Sequence, residues 1–254
     1  MTGAWMVVAW FAAGYLAGSV PFGWLIGRMR GVDIREHGSR NIGATNCGRV
    51  CGAPWGVLAF VLDGAKGFLP VFFAATYWVP RQAEAQGPRV ANLLLVAVAV
   101  APILGHVFPV WLRFRGGKAV AASLGVLLAL PTIWPIALLA FGVWVLAVLV
   151  SGYVSVGSTV AALVFLSGYL IFRRETAWGD ALPLTLFVVA LVAVVIARHR
   201  SNYGRLLRGE ENRLWGAKER KAGENADRPA LDQDATVPSP RQPEPKSEKG
   251  ASRL

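Results

Sequence analysis

Three short polar stretches interrupt an otherwise apolar chain, and each sets fixed cations beside small residues or side-chain amides. They are Gly38-Ser39-Arg40-Asn41-Ile42-Gly43-Ala44-Thr45-Asn46, closing on Arg49; Arg115-Gly116-Gly117-Lys118; and Arg198-His199-Arg200-Ser201-Asn202, followed by Arg205. In the first, glycines let backbone N–H groups approach an anion while Ser39, Asn41, Thr45 and Asn46 add directed donors and Arg49 adds charge. A capped turn explains the small polar residues equally well, but not the arginines. In the second, Gly116 and Gly117 stand just before an apolar helix, whose N-terminus offers free N–H groups and a positive dipole end, with Lys118 adding a full charge. In the third, His199 and Asn202 are three residues apart and share a helix face, with Arg198 beside them and Arg205 nearer the flank. All three suit the holding of oxyanions, phosphate above all.

The elements that must position these groups are helices in a membrane. The 254 residues are 54% apolar and 16% charged, well under the roughly 25% charge of soluble domains. No charged residue occurs between Ala119 and Phe172, nor before Arg28. The former run is too long for one span of about 20 residues. The reading is an all-α, polytopic bundle of about seven transmembrane helices, at 4–27, 54–79, 90–112, 119–134, 136–150, 156–172 and 181–197. The arginine-rich 28–53 and 113–118 connections then lie in the cytoplasm with the C-terminus, and the N-terminus lies outside, by the positive-inside rule. The first apolar segment has no basic residue before it, so it reads as a retained span rather than a cleaved signal. Residues 1–216 form the membrane domain; 217–254, rich in Lys, Glu, Asp, Pro and Ser, read as a disordered polar cytoplasmic tail. Gly18-Ser19-Val20-Pro21 should break the first helix, since proline withdraws a backbone donor.

Several chemistries are excluded or unsupported. The +11 formal charge fits positive-inside anchoring, and no basic-aromatic domain for nucleic acid lies outside the membrane part. Cys47 and Cys51 do not make a disulfide framework, and no Cys/His spacing suggests zinc, so no metal and no cofactor are expected. A nucleotide-binding Gly-x-x-x-x-Gly-Lys-Ser/Thr loop and a Gly-x-Ser-x-Gly elbow are both missing. No histidine has an aspartate five residues later. Asp63 and Lys66, one helical turn apart in the second apolar segment, read as a structural pair, because unpaired charges there are expensive. His106 has two open readings, a satisfied helix-end histidine or an active-site residue.

At these residues the chain resembles the bacterial acyl-phosphate:glycerol-3-phosphate acyltransferases, the PlsY family. The resemblance runs over roughly 5–215. It rests on four motifs in order: Gly18-Ser19-x-Pro21-x-Gly23; Asp33-Ile34-Arg35 through Asn46; Gly105-His106 through Lys118; and Arg198-His199-x-x-Asn202 through Glu211. It implies seven membrane helices in the bacterial cytoplasmic membrane and a site facing the cytoplasm. The implied reaction is transfer of an acyl group from acyl phosphate to the 1-hydroxyl of glycerol 3-phosphate, giving lysophosphatidic acid without metal or cofactor. Glycerol 3-phosphate, acyl phosphate and membrane lipid are then the partners. By the same resemblance His199, Lys118 and Asn202 are the catalytic candidates. Ser39, Thr45 and Arg49 match substrate positions, and the bottom-up reading adds Asn41, Gly43, Asn46, Gly116, Gly117 and Arg205, with His106 alongside. Two departures stand out: Arg40 replaces an expected glycine, and Gly152 stands where arginine is expected before Tyr153-Val154-Ser155. A small organophosphate transporter is the alternative, although no internal repeat is visible and the motifs gather at one face.

Overall fold

A computed structural model describes residues 4–214, and every regular element among them is helical. The expected 217–254 tail and the domain boundary before it lie outside the described residues. The helices are α1 (Ala4–Ser19), α2 (Phe22–Met29), α3 (Ala44–Cys51), α4 (Ala53–Phe73), α5 (Val79–Gln86), α6 (Pro88–Val107), α7 (Val120–Ala129), α8 (Trp134–Ser151), α9 (Val154–Phe172), α10 (Leu182–Arg198) and α11 (Arg200–Leu207). The first helix breaks at Val20-Pro21, as its sequence requires. A five-residue π-helical segment, Ala74–Trp78, joins α4 to α5.

Among the described residues, five helical runs are long and apolar enough to cross a membrane: Trp5–Met29, Ala53–Gln86, Pro88–Leu112, Trp134–Ser151 and Val154–Phe172. α10 and α11, bent by 44°, make a sixth if taken as one broken span. The stretch expected to span at 119–134 instead forms only the ten-residue α7. That is about 15 Å of helix, half of the roughly 30 Å hydrocarbon core. Leu130-Pro131-Thr132-Ile133 ends it, and seven of its residues are buried against neighbouring helices.

The outward faces carry the apolar residues a bilayer would cover, such as Val150 at 80% exposure and Phe172 at 72%. In water a surface of this kind would drive aggregation. Inside, helix pairs approach through small residues, as membrane helices do when close backbone packing replaces the hydrophobic drive. α1 meets α6 where a Cβ on Gly18 would fall on the Pro102 backbone; α4 meets α7 where one on Gly67 would strike the Ala122 carbonyl. Core hydroxyls are only partly satisfied: those of Ser19 and Ser123 have no partner among the described residues. Tyr169 and Thr185 bond to each other at 2.9 Å, and Thr185 Oγ1 also reaches the Ala177 carbonyl at 2.7 Å.

Candidate active site

Residues from all three polar motifs converge on one cleft of about 110 Å3. The 30–43 loop and α3 form one wall, the 113–119 connection and the start of α7 the second, and the α10–α11 bend the third.

Asn46, buried in the first turn of α3, organises the loop before it. Its Oδ1 accepts the Ser39 N–H at 2.8 Å, and the two N–H groups of its Nδ2 are shared among the carbonyls of Ile34, His37 and Asn41 at 2.8, 3.1 and 2.9 Å. An amide with four partners has little capacity left for a ligand, which corrects its assignment as a substrate donor. Asn41 is similarly engaged, its Oδ1 accepting the Gly43 N–H at 2.9 Å. Ser39, Thr45, Gly43 and Arg49 line the cleft. Arg49 donates to the Asn212 carbonyl at 2.9 Å, and its buried Nε has no protein partner. Arg40 adopts the left-handed backbone (φ 57°) that suits glycine and costs about 1–2 kcal/mol with a side chain. Gly152, the other departure, is also left-handed (φ 77°). The Arg213 side chain passes over it and donates to the Tyr153 hydroxyl at 3.2 Å.

The second motif departs from expectation in its glycines. Gly116 and Gly117 do not line the cleft. Their N–H groups donate to the Val107 and His106 carbonyls, each at 3.1 Å, so they have no donor for a phosphate. Their carbonyls are gripped from the other side by Arg198, at 3.2 and 2.6 Å. The connection includes three non-glycine residues in the left-handed region, Arg113, Phe114 and Ala119. Such strain persists only where surrounding contacts fix it, and these clamps do so. The outcome is a rigid strap aiming Lys118 into the cleft, where its ammonium donates to Asn202 Oδ1. Burial pushes the Lys118 pKa down to about 8; Glu211 opposes that fall, while Arg205, Arg49 and Arg198 add to it.

In the third motif, His199 and Asn202 line the cleft. His199 Nδ1 lies 2.8 Å from the Val195 carbonyl. A carbonyl only accepts, so Nδ1 bears the proton and Nε2 is the ring nitrogen left for other work. Arg205 does not line the cleft, because its guanidinium pairs with Glu211 at 2.8 Å. Glu211 also accepts from Asn202 Nδ2 at 2.6 Å and from Ser155 at 3.4 Å. Sequence reasoning gave no site role to Glu211 or Ser155, and it read Arg198 as a cation beside His199 rather than as the clamp on the Gly116 and Gly117 carbonyls. Glu211 lies beyond the last helix in a charged stretch, and only its place in the fourth motif hinted at it. His106 and Asp63 line the deep end of the cleft.

Beside this polar chamber lies an apolar slot of about 80 Å3. Phe60, Val120 and Trp144 belong to both, and Leu124, Phe165 and Val192 line its interior. Phe60 stacks with Phe141 and Trp144, both at 6.0 Å between ring centroids. Among the described residues no three His, Cys, Asp or Glu side chains cluster closely enough to hold a metal.

Fold and cleft together define an integral membrane protein with a cationic pocket opening beside an apolar one. The glycerol-3-phosphate acyltransferase family model matches residues 8–209. A relative from Anaeromyxobacter sp. (strain Fw109-5), named glycerol-3-phosphate acyltransferase, is 44% identical over 208 residues, 80% of this chain and 94% of its own. One of that name from Aquifex aeolicus (strain VF5) is 38% identical over 207 residues, 79% and 95%. The crystal structure of PlsY (YgiH), an integral membrane glycerol 3-phosphate acyltransferase in its glycerol 3-phosphate form, superposes with a TM-score of 0.71 at 35% identity. It covers 83% of this chain and 96% of that one. Its lysophosphatidic acid form gives 0.68. The chain belongs to the glycerol-3-phosphate acyltransferase family.

Proposed function

We propose that this protein is the membrane enzyme that acylates the 1-hydroxyl of glycerol 3-phosphate, with acyl phosphate as donor. Lysophosphatidic acid and inorganic phosphate are the products, in the first acylation step of phospholipid synthesis. The observation that carries the reading is the meeting of Lys118, Arg49, Ser39, His199 and Asn202, from three distant segments, beside an apolar slot. A phosphate-bearing acceptor fits the cationic chamber, and an acyl chain fits the slot. The translocation reading has less support, because the polar motifs gather on one cleft and no internal repeat is visible in the sequence.

Acyl phosphate is a mixed anhydride with a good leaving group, so catalysis can rest on positioning and charge stabilisation. The glycerol oxygen attacks the acyl carbon, and the carbonyl electron pair moves onto its oxygen. When the carbonyl re-forms, the carbon–oxygen bond to phosphate breaks and phosphate leaves with that pair. The hydroxyl proton passes to His199 Nε2 or to the donor's own phosphate. Lys118 and Arg49 offset the repulsion between two phosphates. No covalent acyl-enzyme forms. The site faces the cytoplasm of the bacterial inner membrane, a placement supported by the arginine-rich loops that build it.

Purified protein with radiolabelled glycerol 3-phosphate and either acyl phosphate or acyl-CoA tests the reading. Lysophosphatidic acid should form from acyl phosphate alone. Product from acyl-CoA, or a trapped acylated protein on single-turnover mixing, would overturn donor or mechanism respectively.

A further inference from the structure

Asp63, Lys66 and His106 form a second polar cluster at the inner end of the cleft, and the reaction outlined above makes no use of it. All three are at most 6% exposed. Lys66 Nζ lies 2.7 Å from Asp63 Oδ1 and donates at 2.6 Å to the Val20 carbonyl, at the break between α1 and α2. His106 Nδ1 sits 3.7 Å from the same Asp63 oxygen, beyond hydrogen-bond reach, and has no hydrogen-bond partner among the described residues. A pair of buried charges with a histidine beside them is costly to keep in a membrane bundle unless it does something for the site.

What His106 touches gives the cluster a role. Its backbone carbonyl accepts the Gly117 N–H at 3.1 Å. Its ring occupies the space where a side chain at residue 117 would stand. A Cβ there would meet Nε2, with Cδ2 and Cε1 at 3.1 and 3.2 Å. One residue thus fixes Gly117 twice, by backbone and by ring. The next residue in the chain is Lys118.

We infer that His106, whose backbone carbonyl and ring both meet Gly117, is a positioning residue for Lys118. Its ring packs under Gly117 and sets the level of the Gly116–Lys118 strap, against which Arg198 pulls from the opposite side. Residue 117 is glycine because the imidazole fills its side-chain space, not because its N–H meets a ligand. The inference rests on the proposed role of Lys118 in the reaction.

The test is a double-mutant cycle, read as kcat and KM for glycerol 3-phosphate. Gly117→Ala pushes the strap off the ring and should lower kcat/KM at least 100-fold. His106→Ala should lower it about 10-fold, mainly through KM, because the strap loosens but can still close. The double variant should recover at least 10-fold over Gly117→Ala, since the new methyl then occupies the vacated space. Recovery is the outcome that a histidine acting directly as a base does not give, and a His106→Ala loss borne by KM with an unchanged melting temperature is the one that a merely fold-maintaining histidine does not give. A double variant no better than Gly117→Ala overturns the inference. If His106→Ala does not fold, His106→Asn takes its place with the same criterion. Lys118→Ala in the same assay separates the two levels. Near-normal activity there removes the proposed function's lysine, whereas an inactive Lys118→Ala with an additive cycle removes only the positioning role.

Discussion

Replacing Asn46 tests whether the first motif binds substrate through its amide or builds the loop that does. Asn46 has four hydrogen-bond partners, accepting from Ser39 and sharing its two N–H groups among the carbonyls of Ile34, His37 and Asn41. At about 1 kcal/mol net for the accepted bond and for each of the two N–H groups, Asn46→Ala removes about 3 kcal/mol if the loop keeps its shape. That is a large part of the roughly 5–15 kcal/mol that holds a domain folded. The loop should therefore open before the bundle does. Asn46→Asp should be worse than alanine, because a carboxylate oxygen would replace the nitrogen that now faces three carbonyls. The expected result is a lowered melting temperature in detergent for both variants, with kcat/KM for glycerol 3-phosphate down about 100-fold for alanine and further for aspartate. The measurements are a thermal unfolding series and steady-state kinetics on the same preparations. A raised KM with unchanged melting temperature would make Asn46 a direct ligand and refute the reasoning. So would an aspartate variant more active than alanine.

Three further outcomes are expected. The Lys118 pKa, about 8 against an ordinary 10.5, means the free enzyme loses this cation as pH rises through about 8, so kcat/KM should fall along an alkaline limb. A pH–rate profile from about 6.5 to 9.5 checks it, and a limb that persists in an active Lys118→Arg variant assigns the titration elsewhere. Arg40→Gly should relieve the left-handed strain and add about 1 kcal/mol of stability with activity intact; an unchanged or lower melting temperature would count against strain at that position. Arg198→Lys should reduce kcat/KM by roughly 10- to 100-fold, because one guanidinium nitrogen, Nη2, holds both the Gly116 and Gly117 carbonyls, and a shorter, freely rotating ammonium does not reproduce its fixed position. Equal activity would show that the strap needs no clamp on that side.

The helices were legible from sequence wherever charge-free runs exceed a span's length, since the bilayer imposes that length directly. α7 was legible in place, since Pro131 and Pro135 divide the apolar block there, but not in extent, because the run does not say that the helix is held to the ten residues Val120–Ala129. The three motifs were legible as donor sets, and their convergence could be expected from the positive-inside bias alone. Which donors stay free could not be. Gly116 and Gly117 read as phosphate amides until α6 brings its last carbonyls to them, and Arg205 reads as a substrate cation until Glu211 folds back onto it. Arg49 is fixed by Asn212, more than 160 residues away, a contact with no local sequence signature. These neutral acceptors have a common consequence. Arg198 and Arg49 are oriented by backbone carbonyls, which hold a guanidinium in place without cancelling its charge. Glu211 is the exception, and its carboxylate is shared with Arg205, Asn202 and Ser155. The charges of Lys118 and of Arg49, whose Nε has no protein partner, are thereby left for a phosphate.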